Sequence, residues 1–179
     1  MSSVDCKLTR RVAADAVFLV LALALSYIEV LIPFGTFLPL PGFKLGLANI
    51  LVMILVWRVS PTDGAVVSFL RVMIMGLLFG TPISMFFSAG GALLSFLTLV
   101  LLERFSCNAI SFIGISVLSA SAHNLGQLIC AGSVFDFGVV VTYLPLLLVA
   151  SAIFGTISGI LVNRLYPYLE RIKFGETRT

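Results

Sequence analysis

The sequence predicts an all-α integral membrane protein: one domain, residues 1–179, built as a six-transmembrane-helix bundle with both termini in the cytoplasm. Three observations carry this. Hydrophobic residues make up 60% of the chain and charged residues only 11%, against roughly 45–50% and about 25% in soluble domains. The apolar residues gather in six runs, most of them near the about 20 residues that cross a bilayer. Nine of the eleven Lys and Arg residues fall at alternate ends of those runs, which is the positive-inside pattern.

The runs cover residues 12–33, 45–58, 62–80, 82–103, 109–131 and 138–163. Each is expected to be helical, because backbone in lipid must satisfy its own hydrogen bonds. Lys7, Arg10 and Arg11 precede the first run, and Ala22-Leu23-Ala24 resembles a signal-peptide cleavage site. The run nevertheless continues to Pro33 and is interrupted early by Asp15, which favours a retained helix. The second run is short, so it either tilts little or borrows part of the preceding stretch. Breaks fall at Pro33–Pro41, Ser60-Pro61, Gly80-Thr81-Pro82, Ser106–Asn108 and Gly132–Asp136, all turn signals. Lys7, Arg10, Arg11, Arg58, Arg104, Arg164, Arg171, Lys173 and Arg178 flank the cytoplasmic ends; the outer loops carry Lys44 alone, and Arg71 lies within the third helix. The expected location is the cytoplasmic membrane, multi-pass. The net charge of +3 is topology charge rather than a phosphate-tracking patch, so nucleic acid is not an expected partner.

Between the first two runs stands Leu38-Pro39-Leu40-Pro41-Gly42-Phe43-Lys44-Leu45-Gly46-Leu47-Ala48-Asn49. Pro39 and Pro41 fix φ and extend the residues before them, while Gly42 and Gly46 permit close backbone approach. The stretch is expected to form a shaped outer lid. Lys44 either snorkels to headgroups or binds an anion.

With orientation set, depth follows at about 1.5 Å per residue. Glu29 and Asn49 each lie about a turn from the outer ends of their helices, and Arg71 lies near the middle of the third. His123, Asn124 and Gln127 occupy the outer half of the fifth helix; Ser84, Ser88, Thr142 and Tyr143 lie near the outer ends of the fourth and sixth. Polar groups thus gather in the outer half of the bundle, pointing to a cavity open to or gated from outside. Glu29 and Arg71 form either a structural ion pair or part of a site, since intramembrane charges face the bundle interior. Ser119, His123 and Gln127, spaced by four, share one face, with Asn124 beside them. Asp15 is expected to contact Arg11 or a partner protein. Small residues recur every four positions at Ser151, Gly155, Gly159 and Asn163, and again at Ser84, Ser88 and Ala92; such faces pack helices or dock another membrane protein.

Several chemistries are missing. No Gly-x-x-x-x-Gly-Lys-Ser/Thr string cradles nucleotide phosphates, and no aspartate pair is available to hold magnesium and a diphosphate. Cys6, Cys107 and Cys130 form no CxxC pair, and with the single His123 they supply no zinc set. No catalytic residues, metal or cofactor are expected.

The segments Glu29 to Pro33, Leu38 to Asn49, Leu70-Arg71, Leu78-Phe79-Gly80-Thr81, Ser88-Ala89-Gly90-Gly91, Ala122-His123-Asn124-Leu125-Gly126-Gln127 and Tyr143-Leu144-Pro145 resemble the Gx transporter family. That family is also called heptaprenyl diphosphate synthase component I. The resemblance spans roughly residues 26–162. The family is similar to the S components of energy-coupling factor (ECF) transporters, which implies an outward-facing small-molecule site, a transmembrane coupling protein and a pair of ATPases as partners. S components commonly carry Ala-x-x-x-Ala in the first helix; here Ala13, Ala14, Ala16, Ala22 and Ala24 include no such pair. The alternative name implies a membrane subunit partnering a prenyl synthase in isoprenoid or quinone metabolism.

The expectation is therefore a substrate-binding membrane subunit for uptake of a small molecule. Its site would be lined by Glu29, Lys44, Asn49, Arg71, His123, Asn124 and Gln127 under a lid of Pro39, Pro41, Gly42 and Gly46. The alternative is a non-catalytic subunit of a polyprenyl diphosphate synthase.

Overall fold

A computed structural model of the chain describes residues 3–31, 47–105 and 110–170. Every regular element among them is a helix: α1 (Ser3–Leu31), α2 (Asn49–Arg58), α3 (Pro61–Phe79), α4 (Pro82–Phe105), α5 (Phe112–Gly132), α6 (Phe137–Thr142) and α7 (Leu144–Glu170). The expected lid residues Pro39, Pro41, Gly42, Lys44 and Gly46 lie outside the described residues, as does the Ser106–Asn108 break.

Five helices are long and apolar enough to cross a membrane: Leu8–Leu31 within α1, then α3, α4, α5, and Leu144–Leu169 within α7. Their outward faces carry many exposed apolar side chains, as at Phe69, Leu77, Leu101, Ile129 and Ile153, and lipid is the solvent that tolerates this. The protein is a multi-pass membrane protein. The second apolar run differs from the rest. Its helix α2 has only ten residues, about 15 Å against a hydrocarbon layer of about 30 Å.

Where chain breaks occur, the residues account for them. Ser60 caps α3 by accepting the Thr62 N–H at 3.2 Å, with Pro61 in the first turn, where its missing N–H costs nothing. The last apolar run divides at Tyr143, whose N–H reaches back only three residues, to Val140 O. Pro145 then sits in the first turn of α7, the position a helix tolerates. Helix α1 begins well before its apolar run, because helix needs no apolarity once it leaves the bilayer.

One end of the bundle is tied by cationic and aromatic side chains. Arg11 forks onto Asp63, with Nε at 2.9 Å and Nη2 at 2.8 Å from its two oxygens, and Nη2 also reaches Thr62 Oγ1. Arg58 Nε donates to Leu169 O at 3.3 Å, and Phe112 packs edge-on to Trp57 and tilted against Tyr166. The starts of α1, α3 and α5 and the ends of α2 and α7 therefore share this arginine-rich end.

Helix α2 is the hub of the core. All eight residues from Asn49 to Val56 are buried, and the helix touches α1, α3, α4, α5 and α7. Phe18, Ala22, Val67, Leu99, Ile115 and Val162 close around it. A second, smaller core of Phe87, Leu128, Ala131, Val140 and Leu147 joins α4, α5, α6 and α7. Between α5 and α7 the backbones nearly touch: a Cβ on Gly155 would lie 2.7 Å from Val117 Cα, and one on Gly159 would meet Ile113 Cα. The small-residue face of the last span thus packs internally.

Candidate functional site

Part of the expected polar set meets between α1, α3, α4 and α5. Glu29 on α1, Arg71 on α3, Ser88 on α4 and His123 on α5 line one cavity, joined by Ser26 and by the apolar Val72 and Met75. Glu29 and Arg71 are each 5% exposed and His123 is 2% exposed. Such charges persist within a bundle only when other groups in its interior hold them.

Glu29 Oε1 accepts the N–H of Leu47, two residues before α2. Arg71 Nε has no hydrogen-bond partner among the described residues. Ser88 donates along its own helix to Ser84 O at 2.8 Å, which leaves its lone pairs for the cavity. The enclosed space is about 10 Å³, about the room of one water.

A second polar layer adjoins this cavity. Asn49 Nδ2 donates to Ser119 Oγ, and Ser119 Oγ lies 3.0 Å from Ser95 Oγ. Asn49 is the first residue of α2 rather than a turn inside it, so the layer stands above the apolar core at the depth where the short helix ends.

Two amides on α5 behave differently. Asn124 turns towards α7, its Nδ2 donating to Leu147 O at 3.1 Å and to Ser151 Oγ at 2.7 Å. That makes it a helix–helix tie rather than part of the cavity wall. Gln127, 4% exposed, has no hydrogen bond at either amide atom among the described residues. It lies beside His123 over Gly91, where a Cβ would come within 2.8 Å of Gln127 Cγ and 2.9 Å of His123 Cε1. Glycine at 91 is thus what admits both side chains.

Of the outer polar residues, Ser84 caps the start of α4, accepting the Thr81 N–H at 2.9 Å, and Tyr143 packs on the smaller core. Lys44 lies outside the described residues. Ser26 escaped the sequence reading, although its spacing of three from Glu29 puts the two on one face. Among the described residues no three His, Cys, Asp or Glu side chains stand close enough to hold a metal.

A further pocket opens on the outside of the bundle between α3 and α4. It holds about 300 Å³ and is walled by Ala65, Phe69, Met73, Leu93 and Phe96 among others, with Ser68 its polar member. Val72 lines both this groove and the polar cavity.

Residues 18–165 match the family model described as heptaprenyl diphosphate synthase component I. Neither a curated protein nor a solved structure matches the chain.

Proposed function

Since the chain belongs to the heptaprenyl diphosphate synthase component I family, a group named for a subunit rather than a whole enzyme, we propose that it serves as a ligand-binding membrane subunit for uptake of a small acidic molecule. The observation that carries this reading is the enclosed meeting of Glu29, Arg71 and His123, with Gln127 alongside. A bundle gains nothing in stability from a buried guanidinium Nε and a whole amide left without partners, since each such group costs about 1–3 kcal/mol. Groups of this kind are retained where a ligand uses them. In this reading the chain carries out no bond chemistry. Energy comes from a partner, a coupling protein with ATPases of the ECF kind, because no nucleotide-binding string occurs in the sequence. The arginine-rich end faces the cytoplasm of the cell membrane, and the ligand enters from the opposite side.

A second reading is favoured by the family's name and by the groove between α3 and α4. That groove is apolar, opens towards lipid and has room for several isoprene units, as a membrane subunit presenting prenyl chains to a synthase would need. Native mass spectrometry of gently extracted protein separates the two. A retained polar acidic molecule, absent from Arg71→Ala, is the expected result. A retained isoprenoid, or a prenyl synthase bound in fixed ratio, overturns the uptake reading in favour of the second.

A further inference from the structure

The amino end of α2 lies inside the bundle. Its other end is fixed at the arginine-rich face, where Arg58 holds Leu169 O, and ten residues span only about 15 Å from there. Here Ile50 and Leu51 turn their N–H groups back to Leu47 O and Ala48 O, both at 3.2 Å, while the aligned peptide dipoles leave partial positive charge at this end. Half-helices that stop within a membrane use this to receive anions. The first turn supplies no answering group of its own: Ala48 at the cap has no acceptor, and no acidic residue follows. The acceptor comes instead from α1, where the Glu29 carboxylate takes the Leu47 N–H.

An independent observation points to the same place. Arg71, 95% buried by its 5% exposure, lines the cavity with Glu29, and its Nε is without a hydrogen-bond partner among the described residues. A helix amino end and a cation thus flank one small cavity, the first of them answered by the Glu29 carboxylate. The remaining space is about 10 Å³, which admits a water but no polyatomic anion. An acidic ligand reaches the Leu47 N–H only if a side chain leaves, and the side chain that holds it is Glu29; Arg71 Nε waits unpartnered among the described residues in the same cavity.

We infer that the amino end of α2 and Arg71 form an anion site in which Glu29 is a built-in occupant, and that the ligand is a carboxylate or phosphate compound whose acidic group displaces the Glu29 side chain. This rests on the ligand-binding reading above and adds the ligand's class and the group it replaces. Glu29 is then a competitor of the ligand, not a contact to it.

Competition makes a distinctive test. Protein in uncharged maltoside detergent is titrated by calorimetry with inorganic phosphate, acetate or a short-chain phosphatidic acid, with ionic strength held constant by chloride. Glu29→Gln keeps a carbonyl acceptor and removes the competing charge, so it is expected to bind at least one of these about tenfold more tightly than the parent protein; Arg71→Gln is expected to lose that binding. Glu29→Ala, which should act in the same direction, covers the case in which Glu29→Gln does not fold, and cooperative melting identifies folded protein. The phosphatidic acid arm distinguishes a lipid headgroup from a free anion. Unchanged or weaker binding in the folded Glu29 variants, or no binding of any of the three by any form, overturns the inference. The ligand-binding reading fails separately, on recovery of an isoprenoid or a synthase by mass spectrometry.

Discussion

On the α7 side of α5, Ile113 and Val117 lie against Gly159 and Gly155, and Asn124 donates twice across the interface. On the side that meets α4 and α2, Ser119, His123 and Gln127 descend one face, and the Gln127 amide goes unanswered among the described residues. One helix therefore presents a face whose donors are spent on its neighbour and a face with donors in reserve. The difference teaches how to separate packing from binding in a membrane protein. Both faces are polar and both are buried, so burial and polarity do not distinguish them; the N–H donors do, since Asn124 Nδ2 is bonded twice and Gln127 Nε2 has no partner among the described residues, while the carbonyl oxygens of both amides lack one.

Substitutions can break or sharpen this contrast. The largest effect is expected at Gly159→Leu, which forces a side chain into the Ile113 backbone. It should destabilise the bundle by about 3 kcal/mol, seen as a lower midpoint of thermal unfolding in detergent; an unchanged midpoint would mean that α5 and α7 do not need their close approach. Asn124→Leu removes both donors to α7 and should cost about 1 kcal/mol. A double-mutant cycle with Ser151→Ala should recover a coupling of about 0.6 kcal/mol. The smallest change in stability is expected three residues on. Gln127→Leu deletes an amide that has no partner to lose, so the melting midpoint should stay within about 0.5 kcal/mol of the parent or rise, while ligand retention in native mass spectrometry falls. If Gln127→Leu costs as much as Asn124→Leu, the two faces are alike and the contrast fails.

Much of this was legible in the sequence. Composition and run length gave the membrane class, and Ser60-Pro61 and Gly80-Thr81-Pro82 mark breaks that the structure keeps. Spacing by four placed Ser119, His123 and Gln127 together, and Glu29 and Arg71 share a cavity as intramembrane charges should. Adjacency in sequence places Asn124 with His123, but one residue turns a helix by about 100°, enough to carry it to the α7 side. The depth of α2 was not legible. An apolar run of ambiguous length reads the same whether it crosses a bilayer or stops halfway, and only the five surrounding helices reveal that it touches no lipid along its buried length. Nor could the sequence pair Arg11 with Asp63, or Asn49 with Ser119, because these contacts join residues 52 and 70 positions apart.

The brevity of α2 also bears on how the protein is made. A ten-residue apolar segment is about half the length that leaves the translocation channel for lipid by itself, and only Val59 and Ser60 separate it from α3. The two helices are thus committed to enter the membrane as one hairpin, before α4 and α5 have been synthesised to cover α2. Gly64 prepares that hairpin, since a Cβ there would lie 2.7 Å from Val56 Cγ2, and glycine lets the second arm close on the first. During synthesis, α2 is a guest held by α3 and α1 until the rest of the bundle arrives.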